Sequence, residues 1–425
     1  MLGIDTYSEL LALVGCIFVV WFLIVVLFAP HIPYKLHMPL DCASSDFIFS
    51  LKYLTGGSVH RDSCFDVLTN AAEFYPAMLE AIAGAQHSIN MECYIFRPDE
   101  TGRTFMNAMM ERARAGVIVT LVVDAVGSFH FGRTAIRELR EAGCQVELYQ
   151  RLKWYRLARL NNRTHRELLI VDGTIAFIGG AGVGDHWAKG ERGRRPWRDT
   201  MARVTGPVVS SIQGVFAENW IECCGEILCG PEYFPALHKC GDTSAILIKS
   251  SPADRATACR VAFQMLIESA SRQIRITTPY FLPDRSLRNA LIECAGRGVK
   301  IDIIVPGSHT DQRWVRLSSR RKYEELLRAG GIRIFEYRAG MMHAKVLSVD
   351  DLWVVLGTTN FDNRSFEHND EVNVAIRDEA TSARLTADFQ HDLLSCEEVT
   401  LEKWKRRPLF DRIVEPFAWI LERQQ

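Results

Sequence analysis

The feature that most constrains this chain is that its two halves spell nearly the same text. His165-Arg166-Glu167, followed by Asp172 and Gly179, is echoed by His343-Ala344-Lys345, followed by Asp350, Gly357 and Asn360. The echo reaches well beyond the histidines. Ala77-Met78-Leu79 through Ile89 to Tyr94-Ile95-Phe96-Arg97-Pro98-Asp99 parallels Gln264-Met265-Leu266 through Ile276 to Tyr280-Phe281-Leu282-Pro283-Asp284. Arg103, Asn107, Ala113 and Gly116-Val117 then keep a constant offset from Arg285, Asn289, Ala295 and Gly298-Val299. A match this long between two parts of one chain is hard to obtain by chance. Each copy continues into an apolar strand (119–123 or 301–305), a helix ending in Ala142-Gly143 or Ala329-Gly330, a second strand (146–149 or 332–337) and then the histidine segment. Strands alternating with helical stretches predict an α/β fold with a largely buried sheet in each half. A duplicated unit of about 180 residues is an ordinary domain size.

The histidine segments carry the chemistry. On an extended strand successive side chains alternate faces, so His343 and Lys345 point into one pocket together. An imidazole can attack phosphorus or pass a proton near neutral pH, and an ammonium beside it can hold phosphoryl oxygens. That pair suits phosphodiester chemistry without a metal. If the copies pack face to face, His165 and His343 meet across one interface and supply a nucleophile and a general acid from one residue type.

The second motif reads HxKxxxxDxxxxxxGxxN, as His343, Lys345, Asp350, Gly357 and Asn360. Together with Thr278-Pro279-Tyr280-Phe281, Tyr323-Glu324-Glu325-Leu326-Leu327, Asn363-Arg364-Ser365-Phe366 and Trp197-Arg198-Asp199-Thr200, it resembles the phospholipase D superfamily, and within it the bacterial cardiolipin synthases. The similarity covers roughly residues 60 to 425. What the resemblance implies is two phospholipase D-type α/β/α repeats packed pseudo-symmetrically. It also implies a ping-pong transfer in which His165 attacks the phosphodiester and His343 serves as acid, then base. Lys345, Asn360 and Asn162 would bind phosphate oxygens, and Asp199 and Glu371 would orient the imidazoles, because such a histidine needs a partner that fixes its tautomer. Which carboxylate serves which histidine is not legible. Asp172 and Asp350 complete the family's catalytic signature, yet they stand five residues past the lysine position, an odd step on a strand, and are expected to point away from phosphate and brace a turn. The substrates implied are phospholipids, phosphatidylglycerol with or without phosphatidylethanolamine, and no cofactor.

The first copy departs from this pattern at Glu167, where lysine is expected, and at Gly182, where asparagine is expected. An anion beside a phosphate repels it by on the order of 1 kcal/mol in water and several in a drier site. Glu167 could escape by holding a proton, by pairing with Arg163 or Arg166, or by orienting His165. Arg163, two before His165, shares its face if the strand starts that early. A water-using phosphodiesterase and a weakened lipid-binding relative are the alternatives to a transferase.

From Leu10 to Ala29 no residue is charged, and at roughly 1.5 Å per residue the stretch can cross a hydrocarbon core of about 30 Å. A spanning helix is expected, with Asp5 and Glu9 before it and Lys35 and Lys52 after it, which places the bulk of the chain on the cytoplasmic side of a bacterial inner membrane. The division predicted is an anchor at 1–35, a juxtamembrane segment at 36–65, a first repeat at 66–235 and a second at 236–425, with the seam near 225–243. Residues 45–54 suit either a bilayer surface or a core. The cluster Lys153 to Arg159 suits headgroup depth or ordinary packing around the active-site mouth, and the basic loop holding Lys189, Arg192, Arg194 and Arg195 suits an anionic phospholipid surface or plain solvated surface. A net charge of −1 offers no electrostatic case for nucleic acid. Twelve scattered cysteines match no paired metal site and read as small apolar residues; no metal is expected. His186 and His368 default to surface or structural roles, and Gly179-Gly180 lacks the fingerprint of a nucleotide loop.

Overall fold

Runs of apolar and β-branched residues, continuous rather than alternating, are what strands buried on both faces look like, and they set the frame here. A computed structural model describes residues 4–28, 33–150, 162–190, 193–252 and 257–407, with only the backbone for 4–6 and 22–28. The first half contributes β1 (Val59–Thr69), β2 (Ser88–Cys93), β3 (Ile118–Asp124), β4 (Gln145–Tyr149), β5 (Arg163–Thr164), β6 (Leu168–Val171), β7 (Ile175–Gly179) and β8 (Thr200–Thr205). The second contributes β9 (Thr243–Ser250), β10 (Gln273–Thr277), β11 (Phe281–Leu282), β12 (Lys300–Pro306), β13 (Ile332–Tyr337), β14 (Val346–Val349), β15 (Trp353–Gly357), β16 (Phe361–Asp362), β17 (Asn369–Arg377) and β18 (Cys396–Glu398).

The two halves have one connectivity. The spatial order is β4-β3-β2-β6-β7-β8-β1 in the first and β13-β12-β10-β14-β15-β17-β9 in the second, with β18 added at the outer edge. In each, the first three strands of that order run parallel, joined by helices as parallel strands require, and the next are antiparallel hairpins. The halves join where β1 pairs antiparallel with β9, Val59 opposite Ile246 and His60 opposite Ala245, so that among the described residues sixteen strands form one sheet. The seam expected at 225–243 ends where β9 begins, and the segment taken to stop at residue 65 already carries the start of β1.

The repeated sequence phrases have local causes. Asp99 and Asp284 are equivalent helix N-caps: their carboxylates accept from Gly102 N–H and Leu287 N–H and open helices Glu100–Arg114 and Arg285–Gly296. Asp172 and Asp350, with φ of 52° and 55°, sit in equivalent hairpin turns. Asp172 accepts from the N–H groups of Gln86, His87 and Ser88, and Asp350 from those of Ser271, Arg272 and Gln273. Each ties its hairpin to the start of the neighbouring strand, at the opposite end from the histidine segments.

Each half has its own core beneath its helices, and a third cluster is shared. It joins Leu168, Ile170, Ile178 and Val204 of the first half to Leu247, Leu356, Val372 and Val374 of the second, with Phe216 and Trp220 of helix Val208–Cys224. The halves are therefore fused by apolar packing as well as by the ladder.

At the N-terminus the backbone is helical from Ile4 to Phe28. Among the described residues no helix is long and apolar enough to cross a membrane. Helix Ser45–Thr55 turns one face inward, with Phe47 edge-on to Trp353 at 5.6 Å, and leaves Phe49, Tyr53 and Leu54 exposed. The cluster 153–159 and Arg192 lie outside the described residues.

Removing the Asp350 carboxylate leaves three N–H groups without their acceptor, so Asp350→Ala is expected to lower stability by about 1–3 kcal/mol. Asp350→Asn keeps an acceptor and tolerates positive φ, and should lose less; thermal unfolding of the two variants side by side makes the comparison.

Candidate functional site

The strand β5 leaves its own half. It pairs parallel with β17, Arg163 beside Asn369 and Thr164 beside Asp370, and the His165 N–H donates to the Asp370 carbonyl at 2.9 Å. The first histidine is thereby hung on the second half's sheet. Reciprocally, Arg198 bridges to Met342, and the His343 N–H donates to the Arg198 carbonyl at 2.7 Å. Both histidines, each buried, line one cleft of about 680 Å³ between the halves.

The carboxylates cross over as well. His165 Nδ1 lies 3.1 Å from Glu371 Oε2 and 3.0 Å from the Thr358 carbonyl. With two acceptors facing it, Nδ1 carries the proton and Nε2 keeps its lone pair for the cleft. His343 Nδ1 lies 2.7 Å from Asp199 Oδ2. Asp199 is itself fixed by the Trp187 indole N–H at 2.9 Å and the Thr200 N–H at 2.8 Å, and Glu371 by the Thr358 hydroxyl and the Asn369 amide. Each imidazole is thus oriented by an acid from the opposite half.

Lys345 Nζ sits 2.9 and 3.2 Å from the His343 ring nitrogens and donates to the His343 carbonyl at 2.7 Å. Burial, then the Lys345 ammonium, pulls His343 below the ordinary histidine value against the attraction of Asp199, so the ring rests neutral. Burial also lowers Lys345. Burial alone would raise Asp199, but His343 and Lys345 outweigh it and hold the carboxyl below its usual range. Trp187 and Trp197 pack around His343 at 5.5 and 5.1 Å, and Tyr94 meets His165 edge-on at 5.1 Å.

Glu167 lines the same cleft but does not act as an exposed anion. Oε1 accepts from the Tyr94 and Ile95 N–H groups at 3.2 and 3.4 Å, and Oε2 has no partner. Burial raises its pKa well above the ordinary value, the two N–H groups and Lys345 opposing. Of the three escapes open to it, protonation is the one this geometry favours: Arg163 sits 3.6 Å from Asp124 and Arg166 reaches Glu218 at 3.3 Å. The second departure belongs to the first. A side chain at Gly182 would begin 2.3 Å from the Ile95 carbonyl and 3.1 Å from Glu167 Oε1, so the Ile95 backbone first and the glutamate second leave no room for an asparagine there.

Comparison with known proteins follows the same lines. A family profile described as "Cardiolipin synthase, PLD-like domain" matches residues 78–189 and 264–393, one segment in each half. A cardiolipin synthase of Geobacillus sp. (strain WCH70) is 36% identical over 358 residues, covering 84% of this chain and 71% of that protein. Cardiolipin synthase 2 of Bacillus anthracis is 35% identical over 351 residues, covering 82% and 68%. The chain belongs to the cardiolipin synthase family of phospholipase D-like proteins. The fold also matches a crystal structure of phosphatidylserine synthase from Haemophilus influenzae Rd KW20, with a TM-score of 0.68 at 14% identity over 89% of this chain and 99% of that one.

Within this family site, the structure gathers His165, His343, Lys345, Asp199, Glu371, Glu167 and Asn360, whose buried Oδ1 has no hydrogen-bond partner. It does not gather the rest. Asp172 and Asp350 brace their distant turns, Arg163 is turned to Asp124, and half-buried Asn162 is not among the residues lining the cleft. His186 is buried between Trp187 and Trp197, with both ring nitrogens unpartnered, and burial pushes it to about 3; it fills space behind His343. Among the described residues no cluster of His, Cys, Asp or Glu is arranged to hold a metal ion, and the twelve cysteines are free.

Sequence reasoning passed over Tyr94, Tyr280, Arg97, Arg364 and Asp362, which all line the cleft. Asp362 caps helix Asn363–Glu367 through the Ser365 N–H at 2.7 Å, and burial lifts it to about 6. The two tyrosines recur in both copies, a signal that was available.

Because folded Glu167 keeps its proton above the ordinary carboxyl value of 4.5 while the unfolded chain releases it, the folded state binds more protons there. Stability must fall as pH rises from about 4.5 toward the folded value. Glu167→Gln removes that loss, so thermal melts from pH 5 to 8 should show a flatter profile for the variant, with its advantage largest at the alkaline end.

Proposed function

We propose that this chain is a membrane-anchored phosphatidyltransferase of the cardiolipin synthase type, moving a phosphatidyl group from one phospholipid to the headgroup alcohol of phosphatidylglycerol. The observation that carries the reading is the crosswise pairing of two imidazoles with two carboxylates around one cleft. His165 Nε2 attacks phosphorus, the bond to the leaving alkoxide breaks, and His343 supplies that alkoxide with a proton. A second lipid alcohol then gives its proton to His343 and displaces the histidine from phosphorus. The phosphodiester anion entering the cleft offsets the charge of Lys345 and raises the proton affinity of His343, which charges the acid when substrate is present. Lys345 and Asn360 hold the phosphoryl oxygens. Two tight, carboxylate-oriented imidazoles do this without a bound cofactor.

The chain is read as an anchor (1–35), a juxtamembrane segment (36–65) and two repeats (66–235 and 236–425). The described part of the N-terminal helix exposes Leu10, Leu11, Val14, Ile17, Phe18 and Trp21 together. A helix apolar all round suits lipid, which supports a single span, and Asp5 and Glu9 before it with Lys35 and Lys52 after it support a catalytic part on the cytoplasmic side of a bacterial inner membrane.

Full-length protein in phosphatidylglycerol vesicles is expected to form cardiolipin and glycerol in the presence of EDTA, with His165→Ala and His343→Ala each lowering turnover by at least on the order of a thousandfold. Phosphatidic acid as the sole product would replace the transferase reading with a hydrolase. Glu167→Lys, which restores the family residue, is expected to lower activity: a lysine cannot accept from Tyr94 and Ile95 N–H and sets a second ammonium beside Lys345. Higher turnover in that variant would mean the natural first motif is impaired.

A further inference from the structure

Two loops rim the cleft, one from each half, and each follows the same strand of its sheet: residues 125–131 after β3 and 307–312 after β12. Each leads an aromatic side chain into solvent. Phe129 is 77% exposed at the mouth of the cleft, which it lines with Val126 and Gly127, and Trp314, in the first turn of helix Arg313–Arg328, is 54% exposed two residues after the cleft-lining Gln312. Val126 is exposed beside the first, and Arg194 and Arg195 are exposed at the same opening. Singly scattered apolar residues need no explanation. Two aromatics on related loops flanking one opening, with guanidinium groups beside them, have the composition of a surface at headgroup depth.

The path of the N-terminal segment gives an independent reason. The Tyr34 N–H donates to Ser286 Oγ at 3.1 Å, and its ring lies 4.5 Å from the Arg260 guanidinium, which Asp284 holds and which stands 5.8 Å from Phe366. Asp284 closely follows β11, whose partner β16 leads into the cleft-lining Asp362 and Arg364. Tyr34 is therefore docked at the cleft end of the second half. The N-terminal helix ends at Phe28, six residues earlier, and that length of chain cannot reach beyond about 20 Å. From Tyr34 the chain runs on through Leu36, whose N–H donates to Glu268, to Cys42 beside Asp350, so the helix precedes the cleft-end contact and a bilayer holding it lies within that reach of Tyr34.

We propose that Val126, Phe129 and Trp314, with Arg194 and Arg195, rest on the anionic phospholipid leaflet next to the N-terminal helix, so that the cleft opens onto lipid. A phospholipid then reaches the histidines headgroup first without its acyl chains crossing water. This rests on the reading of phospholipid as substrate. The test is hydrogen exchange on the full-length chain in phosphatidylglycerol vesicles against the same chain in detergent. Slower exchange at 125–131 and 307–314 in vesicles is expected; equal exchange there overturns the proposal. Equal slowing when water-soluble dihexanoyl-phosphatidylglycerol is added to the detergent sample also overturns it, since substrate in the cleft would then explain the protection. In parallel, Phe129→Ser/Trp314→Ser is expected to lower turnover on vesicles about tenfold by weakening insertion, and unchanged turnover would count against the rim. Exchange is read without turnover. Rim protection with no cardiolipin formed would remove the transferase reading alone, and cardiolipin formed without rim protection would remove this proposal alone.

Discussion

Everything at this site depends on one exchange: each imidazole is held by an acid that belongs to the other half of the molecule. His165 without Glu371, or His343 without Asp199, would have neither a fixed tautomer nor a fixed direction. The fold serves that exchange. The β1–β9 ladder and the shared apolar cluster around Trp220 and Val372 hold the halves together, and the transfer of β5 onto β17 carries His165 across to its partner. A catalytic apparatus divided in this way is assembled only when both halves are folded and docked.

The electrostatics are economical. The second half places Lys345 at the cleft, and the equivalent position of the first holds Glu167, whose pKa burial raises well above the ordinary carboxyl value. Its Oε1 accepts two backbone N–H bonds. A Cβ at Gly182 would meet the Ile95 carbonyl at 2.3 Å before the Glu167 carboxyl at 3.1 Å, so backbone and carboxyl together close that position to a side chain. The first half positions its histidine by backbone pairing and lines the cleft with Arg97, Arg194 and Arg195, while the buried lysine beside His343 comes from the second.

Much of this was legible beforehand, for physical reasons. The duplicated text exposed the α/β repeats because the same caps, turns and buried strands recur for the same steric causes. The strands expected at 119–123 and 332–337 lie within or coincide with β3 and β13. The odd spacing of Asp172 and Asp350 from the lysine position pointed them away from the cleft. The pairing of Asp199 with His343 was out of reach, since it arises from packing between segments distant in the chain. The same holds for Arg163, whose face on a short strand says nothing about Asp124. Tyr94 and Tyr280 stand at matching places in the repeat, but a shared position alone does not tell a cleft-lining tyrosine from a core one.

The junction between the halves has an implication for where such a chain comes from. The first strand of each half lies at the edge of its own sheet and pairs antiparallel with the corresponding strand of the other. A single half would therefore carry an edge complementary to itself, and two separate copies could dock through it symmetrically. Fusion of the genes for such a pair would preserve the joint while freeing each copy to diverge, and a lysine given up in one could be tolerated as long as the other kept its own.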